Sequence, residues 1–175
     1  MSNDNQNYSV GDTIVYPPHG VGVIESKDEF HGAKMYCIHF PKDRVRVRLP
    51  LARVAESPLR ALASKKDLKA AMKTMEGKAS KKRSMWRRRA QKYESKINSG
   101  EPGLIAEVLR DLKENAAIDE QSYSERQIYR KAMERLSSEL AAVEQMDERK
   151  AIDKIENVLF TTAESNKEEE KKEAA

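Results

Sequence analysis

Arg44-Val45-Arg46-Val47-Arg48-Leu49 is the stretch on which the fold turns. Charged and apolar residues alternate through it without a break, and a period of two marks a strand with one wet face and one dry face. Val45, Val47 and Leu49 fall on the dry side and the three arginines on the other. Toward the N-terminus the β character persists. Pro41-Lys42-Asp43 is a turn, Lys34 to Phe40 an apolar-rich strand, and a polar loop ends at His31-Gly32. Val21-Gly22-Val23-Ile24-Glu25 is a further strand, and Pro17-Pro18-His19-Gly20 is a strong turn signal after Thr13-Ile14-Val15-Tyr16. About five short strands in some 55 residues predict a small, strongly bent antiparallel sheet or barrel.

Toward the C-terminus the pattern changes at Ser57-Pro58, and every strong period from there is helical. Ser64 can cap a helix running toward Met75, with Asp67 in its first turn, and Gly77 to Ser80 breaks it. A second helix is expected from Ser84 to about Ile97, with Gly100 as its stop. Pro102 opens a third, whose Leu104, Ile105, Val108, Leu109 and Leu112 share one face. Ser122-Tyr123-Ser124-Glu125 is a capping box for a long fourth helix with a stripe of Ile128, Ala132, Met133, Leu136, Leu140 and Val143. Asp147 caps a fifth, with Ile152, Ile155, Val158 and Leu159 inward. The expected class is α+β: a β module over residues 1–56, about five helices over 57–161, and a charged tail over 162–175 with too little apolar surface to order.

Charge is the second informative feature. The chain of 175 residues is 38% hydrophobic and 35% charged, with a formal charge of only +4. Between Lys65 and Lys96, however, thirteen lysines and arginines face three acids, so the rest of the chain is net acidic. At the centre of that segment Lys81-Lys82-Arg83-Ser84-Met85-Trp86-Arg87-Arg88-Arg89 sets the single tryptophan between two basic triplets. A core position excludes charge, and a solvated charge run has no use for an indole. Phosphates attract the cations, and a groove or an unstacked base accommodates the ring. Trp86, Ala90, Tyr93 and Ile97 also fall on one helical face, so the indole equally heads a buried stripe. The two readings are compatible if the ring is half buried and presents one edge. Arg44, Arg46 and Arg48 carry a similar ambiguity: the solvated face of a sheet, or a guanidinium stripe for an acidic protein surface.

Catalytic readings find little support. Gly20-Val21-Gly22 lacks the third glycine and following helix of a dinucleotide site. His19, His31, His39 and Cys37 provide no second short-spaced ligand pair, so no metal site and no cofactor are expected. Cys37 has no disulfide partner, and its apolar neighbours suggest a small buried thiol. No apolar window approaches the ~18 residues needed to cross a bilayer. Residues 1–7 carry no apolar leader region, so a cytoplasmic, non-enzymatic protein is expected.

Val10-Gly11-Asp12-Thr13-Ile14-Val15-Tyr16-Pro17-Pro18-His19-Gly20-Val21-Gly22-Val23-Ile24 resembles the opening of the CarD/CdnL bacterial transcription regulators. The RNA-polymerase-interacting domain of the transcription-repair coupling factor shares that opening. The downstream half is similar to CarD rather than to the coupling factor, through Trp86-Arg87-Arg88-Arg89, Ser99-Gly100 and Glu107-Val108-Leu109-Arg110-Asp111-Leu112. The resemblance spans about residues 8 to 160. It implies a Tudor-like module that docks on the RNA polymerase β subunit and a helical domain that reaches promoter DNA at the upstream edge of the melted bubble. By resemblance, Trp86 wedges into the minor groove and stabilises the open promoter complex, while Arg88 and Arg89 hold the backbone. Lys82, Arg83 and Arg87 complete the expected DNA-binding set.

The same resemblance assigns Arg48 to polymerase contact, with Arg46 beside it. A second polymerase-contacting arginine of some members has no clear match in Ser26-Lys27-Asp28-Glu29-Phe30, where Lys27 offers a point charge instead of a guanidinium fork. Gln91 stands where members carry a basic residue. The implied partners are the polymerase and promoter DNA, the latter largely independent of sequence. The implied state is a monomer, associated with the nucleoid through the polymerase. Two alternatives remain at this level: an RNA- or ribosome-associated protein, which predicts RNA affinity without polymerase contact, and a pure adaptor, in which the arginine strand matters and the basic helix does not.

Overall fold

The computed structural model describes residues 7–80, 84–116 and 122–173. The chain forms two compact units, residues 1–62 and 63–175. In the first, β1 (Thr13–Tyr16), β2 (Gly20–Phe30), β3 (Ala33–Phe40), β4 (Val45–Pro50) and β5 (Arg60–Ala61) build one antiparallel sheet of order β4-β3-β2-β1-β5. It has the five-stranded form of a Tudor-like module, with β4 and β5 as its edges. The unit ends beyond the expected boundary at residue 56 because Arg60 and Ala61 return to pair with Val15 and Ile14 of β1. Two residues are too few to carry an alternation, so nothing in the sequence announces β5.

Core residues Ile14, Ile24, Ile38 and Phe40 are fully or almost fully buried and, with Tyr36, fill the inner face of the sheet. Each such side chain contributes about 1.5–3 kcal/mol by leaving water. Gly22 makes room for this core: a Cβ there would stand 2.6 Å from Cε1 of Phe40. The β2–β3 hairpin closes through His31 and Gly32, with φ of 50° and 75°. Two successive left-handed residues match the twist of the flanking strands. Pairing therefore reaches the tip, and Ser26–Phe30, expected as a loop, is strand. Arg44 has a φ of 54° and lies in the β3–β4 turn, so only Arg46 and Arg48 remain of the expected three-arginine stripe.

The second unit comprises α1 (Lys65–Glu76), α2 (Trp86–Ser99), α3 (Pro102–Ala116), α4 (Tyr123–Glu144) and α5 (Glu148–Glu173). Their ends follow the sequence signals closely. Ser64 accepts the Asp67 N–H, and Ser122 accepts that of Glu125. Gly100 terminates α2 in the left-handed conformation, and Asp147 accepts the Arg149 N–H before α5. The core gathers Leu68, Met75, Tyr93, Ile97, Ile105, Leu109, Leu112, Leu136, Leu140, Ile155 and Leu159. The helix α5 continues to Glu173, through the segment expected as a disordered tail. Glu, Lys and Ala are good helix formers, so a helix already nucleated on the core extends into them at little cost.

Candidate nucleic-acid and protein interfaces

Trp86 opens α2, and its N-cap, Met85, makes no side-chain capping bond. The first turn holds no acid; it holds Arg87, Arg88 and Arg89 instead. Cations at the positive end of a helix oppose the macrodipole, each by roughly 0.3–1 kcal/mol. This turn is therefore unfavourable for the helix taken alone, and it suits an anion brought from outside. Arg87 and Arg88 are exposed and free to serve it.

The indole is held in a defined position. It is partly buried against the helical core, and its Nε1–H donates to Oγ of Ser124 on α4 at 2.8 Å. Tyr93, two turns further along the same stripe, lies 6.3 Å away in a tilted arrangement. Burial is the chief cause that holds the Tyr93 hydroxyl above its ordinary pKa. The Asp111 charge adds to that shift, and the Arg89 hydrogen bond opposes it. Arg89 also stands 5.2 Å over the Trp86 ring and donates from Nε to the Ser84 carbonyl at 3.2 Å. Its guanidinium is thus half-buried against the ring and bonded through Nε, unlike those of Arg87 and Arg88, while its Nη1 is buried with no hydrogen-bond partner. Ser124 was not legible as part of this site, because a bond spanning 38 residues leaves no local trace and the serine sits inside an ordinary capping box. Lys82 and Arg83 lie outside the described residues.

On the sheet, register decides which cations meet. Arg48 faces Cys37 and Arg46 faces His39, so both arginines share the outer face of β4. Cys37 consequently lies half-buried on that face instead of in the core. Arg46 donates from Nε and Nη2 to the two oxygens of Glu25 at 2.8 and 3.3 Å. This pairing holds the Glu25 carboxyl below its ordinary range. Arg48 has an exposed side chain and stands 5.2 Å over the ring of Phe30 near the hairpin tip. Lys27 is on the other side. A register shift between Ile24 and Ser26 sets Lys27 opposite Tyr36, and its Nζ lies 5.2 Å over that ring. The expected trio of Arg46, Arg48 and Lys27 does not converge: one is paired, one is open, and one belongs to the opposite face.

Among the described residues no group of three His, Cys, Asp or Glu side chains is arranged to hold a metal ion. Likewise among them, no helix is long and apolar enough to cross a membrane.

Comparison with known proteins agrees with the two-unit architecture. Residues 8–63 match the family model of the CarD-like/TRCF RID domain, and residues 70–156 match that of the CarD C-terminal domain. A Bacillus subtilis (strain 168) protein named "Putative transcription factor YdeB" is 31% identical over 146 residues, covering 81% of this chain and 95% of its own length. A β module of polymerase-interacting type joined to a helical unit of this kind defines a transcription regulator. More specifically, the chain belongs to the CarD family.

Proposed function

We propose that this protein stabilises open promoter complexes, docking on the RNA polymerase β subunit through the Arg48 face and presenting Trp86 to DNA at the upstream edge of the bubble. The observation that carries the reading is the anchored, half-exposed indole at a helix start with no side-chain cap, followed at once by three arginines. A ring fixed in advance loses little conformational entropy on insertion. A wedge of this kind binds a distorted junction better than continuous duplex. That difference in affinity alone shifts the equilibrium toward the open state and slows collapse. Arg87 and Arg88 supply phosphate contacts, which are independent of sequence and weakened by salt. Free DNA is therefore bound weakly, and tethering to the polymerase raises the effective concentration.

Features of the β unit support the docking half. β4 is an edge strand, Arg48 is its open guanidinium, and an edge presents backbone groups to which another chain can pair. No catalysis enters the scheme, and a monomer is sufficient for it. The test is the lifetime of competitor-resistant open complexes on purified bacterial polymerase with and without the protein. Lengthening that disappears with Trp86→Ala supports the wedge. An unchanged lifetime on several intrinsically unstable promoters overturns it.

A further inference from the structure

Four large hydrophobic residues are conspicuously exposed among those described, and two of them flank the indole. Met85, 81% exposed, immediately precedes Trp86. Tyr123, 72% exposed, immediately precedes Ser124, whose Oγ receives the indole N–H. That hydrogen bond brings the first turn of α4 to the ring. The turn is itself well held: Ser122 accepts the Glu125 N–H on its side chain at 3.3 Å and the Arg126 N–H on its carbonyl at 3.1 Å. Tyr123 is thus a projecting ring on a fixed backbone.

The helical core has no use for this ring, since the inner stripe of α4 is already occupied by Ile128, Ala132, Met133, Leu136 and Leu140. Exposed arginines belong to both helix starts. Arg126 follows at i+3 on the same helical face and is exposed, and Arg87 and Arg88 extend from the neighbouring start of α2. A neutral protein surface would not select that rim, whereas a nucleic acid supplies both phosphates and flat rings. Paired duplex keeps its base faces covered by stacking, but an unpaired base exposes one.

We infer that Tyr123 is a second base-stacking residue, which takes the face of an unpaired base beside the point where the Trp86 edge enters. The inference rests on the Trp86 reading and deepens it: two rings on two helices, joined through Ser124, recognise the boundary between paired and unpaired DNA. Stacking depends on the ring and not on the hydroxyl, and it is tolerant of base identity.

The test uses the full chain and a forked duplex carrying 2-aminopurine at the first unpaired position. Wild-type protein should quench the probe, and Tyr123→Phe should do so equally. Tyr123→Ala should abolish most of the quenching and weaken fork binding roughly five- to tenfold, the loss of one base–aromatic contact, with fully paired duplex bound as before. If Trp86→Ala loses fork preference while Tyr123→Ala retains both quenching and affinity, the Tyr123 inference is overturned and the wedge stands. If neither substitution has an effect, both fall. If Tyr123→Ala leaves DNA binding intact but weakens binding to polymerase, the ring docks on protein and the inference is likewise overturned.

Discussion

Arg89 stands over Trp86 and Arg48 over Phe30 at the same 5.2 Å, yet the two pairs are built for different ends. The helical pair is fastened on several sides, by the Ser124 hydrogen bond, by Tyr93, and by the Ser84 carbonyl that receives the Arg89 Nε–H. The sheet pair sits near a hairpin tip, with Phe30 46% exposed. In the first the arginine serves the ring. In the second the ring steadies an arginine that remains available. The lesson is that the cations of a basic run are not equivalent: packing ties some to neighbouring side chains and leaves others exposed.

The comparison is broken most directly at the rings. Trp86→Ala should remove most of the lengthening of open-complex lifetime, about tenfold or more for a stacked ring worth ~1–3 kcal/mol, while circular dichroism stays native. Loss of helical structure would mean that the indole is chiefly a core residue. At the other site Arg48→Ala should weaken polymerase binding by roughly tenfold, as expected for an exposed guanidinium that pairs on docking, with forked-DNA binding unaffected. Equal losses from Arg46→Ala would erase the distinction between a paired and an open arginine.

Two further substitutions sharpen the contrast. Gly22→Ala drives a methyl group into Phe40 and should lower the stability of the β unit by about 1–3 kcal/mol, read by denaturant unfolding. Ser124→Ala removes one hydrogen bond worth ~1 kcal/mol and should shorten open-complex lifetime severalfold while leaving the salt dependence of DNA binding unchanged. A changed salt slope would show that the serine acts through phosphate contact instead of through the indole. The smallest effect belongs to the Arg46–Glu25 pair. Because the Glu25 pKa is lowered in the folded state, the pair's contribution is complete above the ordinary carboxylate range and is lost as pH falls through the folded value. Arg46→Ala should return the Glu25 carboxyl toward its ordinary value in an NMR titration, with little change in polymerase affinity.

Helix positions were legible because capping is local: Ser64, Gly100, Ser122 and Asp147 each act within a few residues of themselves. The β1 and β4 strands were legible for a similar reason, as short segments bounded by turn residues. What escaped depended on distant partners. β5 exists because β1 offers it an edge, and Lys27 changes face because of one register irregularity upstream. Arg44 leaves its stripe because it is itself a left-handed turn residue, which an alternation count cannot detect. Within the basic segment the resemblance set Arg88 and Arg89 together, whereas the helix start exposes Arg87 and Arg88 and lays Arg89 over the ring.

Three charged side chains behind the site have a consequence for this segment. Glu139, 2% exposed, accepts the Ala63 N–H just ahead of α1. Lys113, 3% exposed, donates to the carbonyls of Met75 and Gly77 at its far end. Asp111 accepts the Ser80 N–H three residues further on. Acid lies at the positive end of the helix and base at the negative end, so the two anchors carry opposite polarity and cannot exchange. A shift of α1 along its axis would break the Glu139 bond at one end and the Lys113 bonds at the other together. Both ends of α1, and Ser80 beyond it, are thereby fixed to the rest of the helical unit. Ser80, the last described residue before the basic stretch, is thus held by a side chain almost wholly withdrawn from solvent.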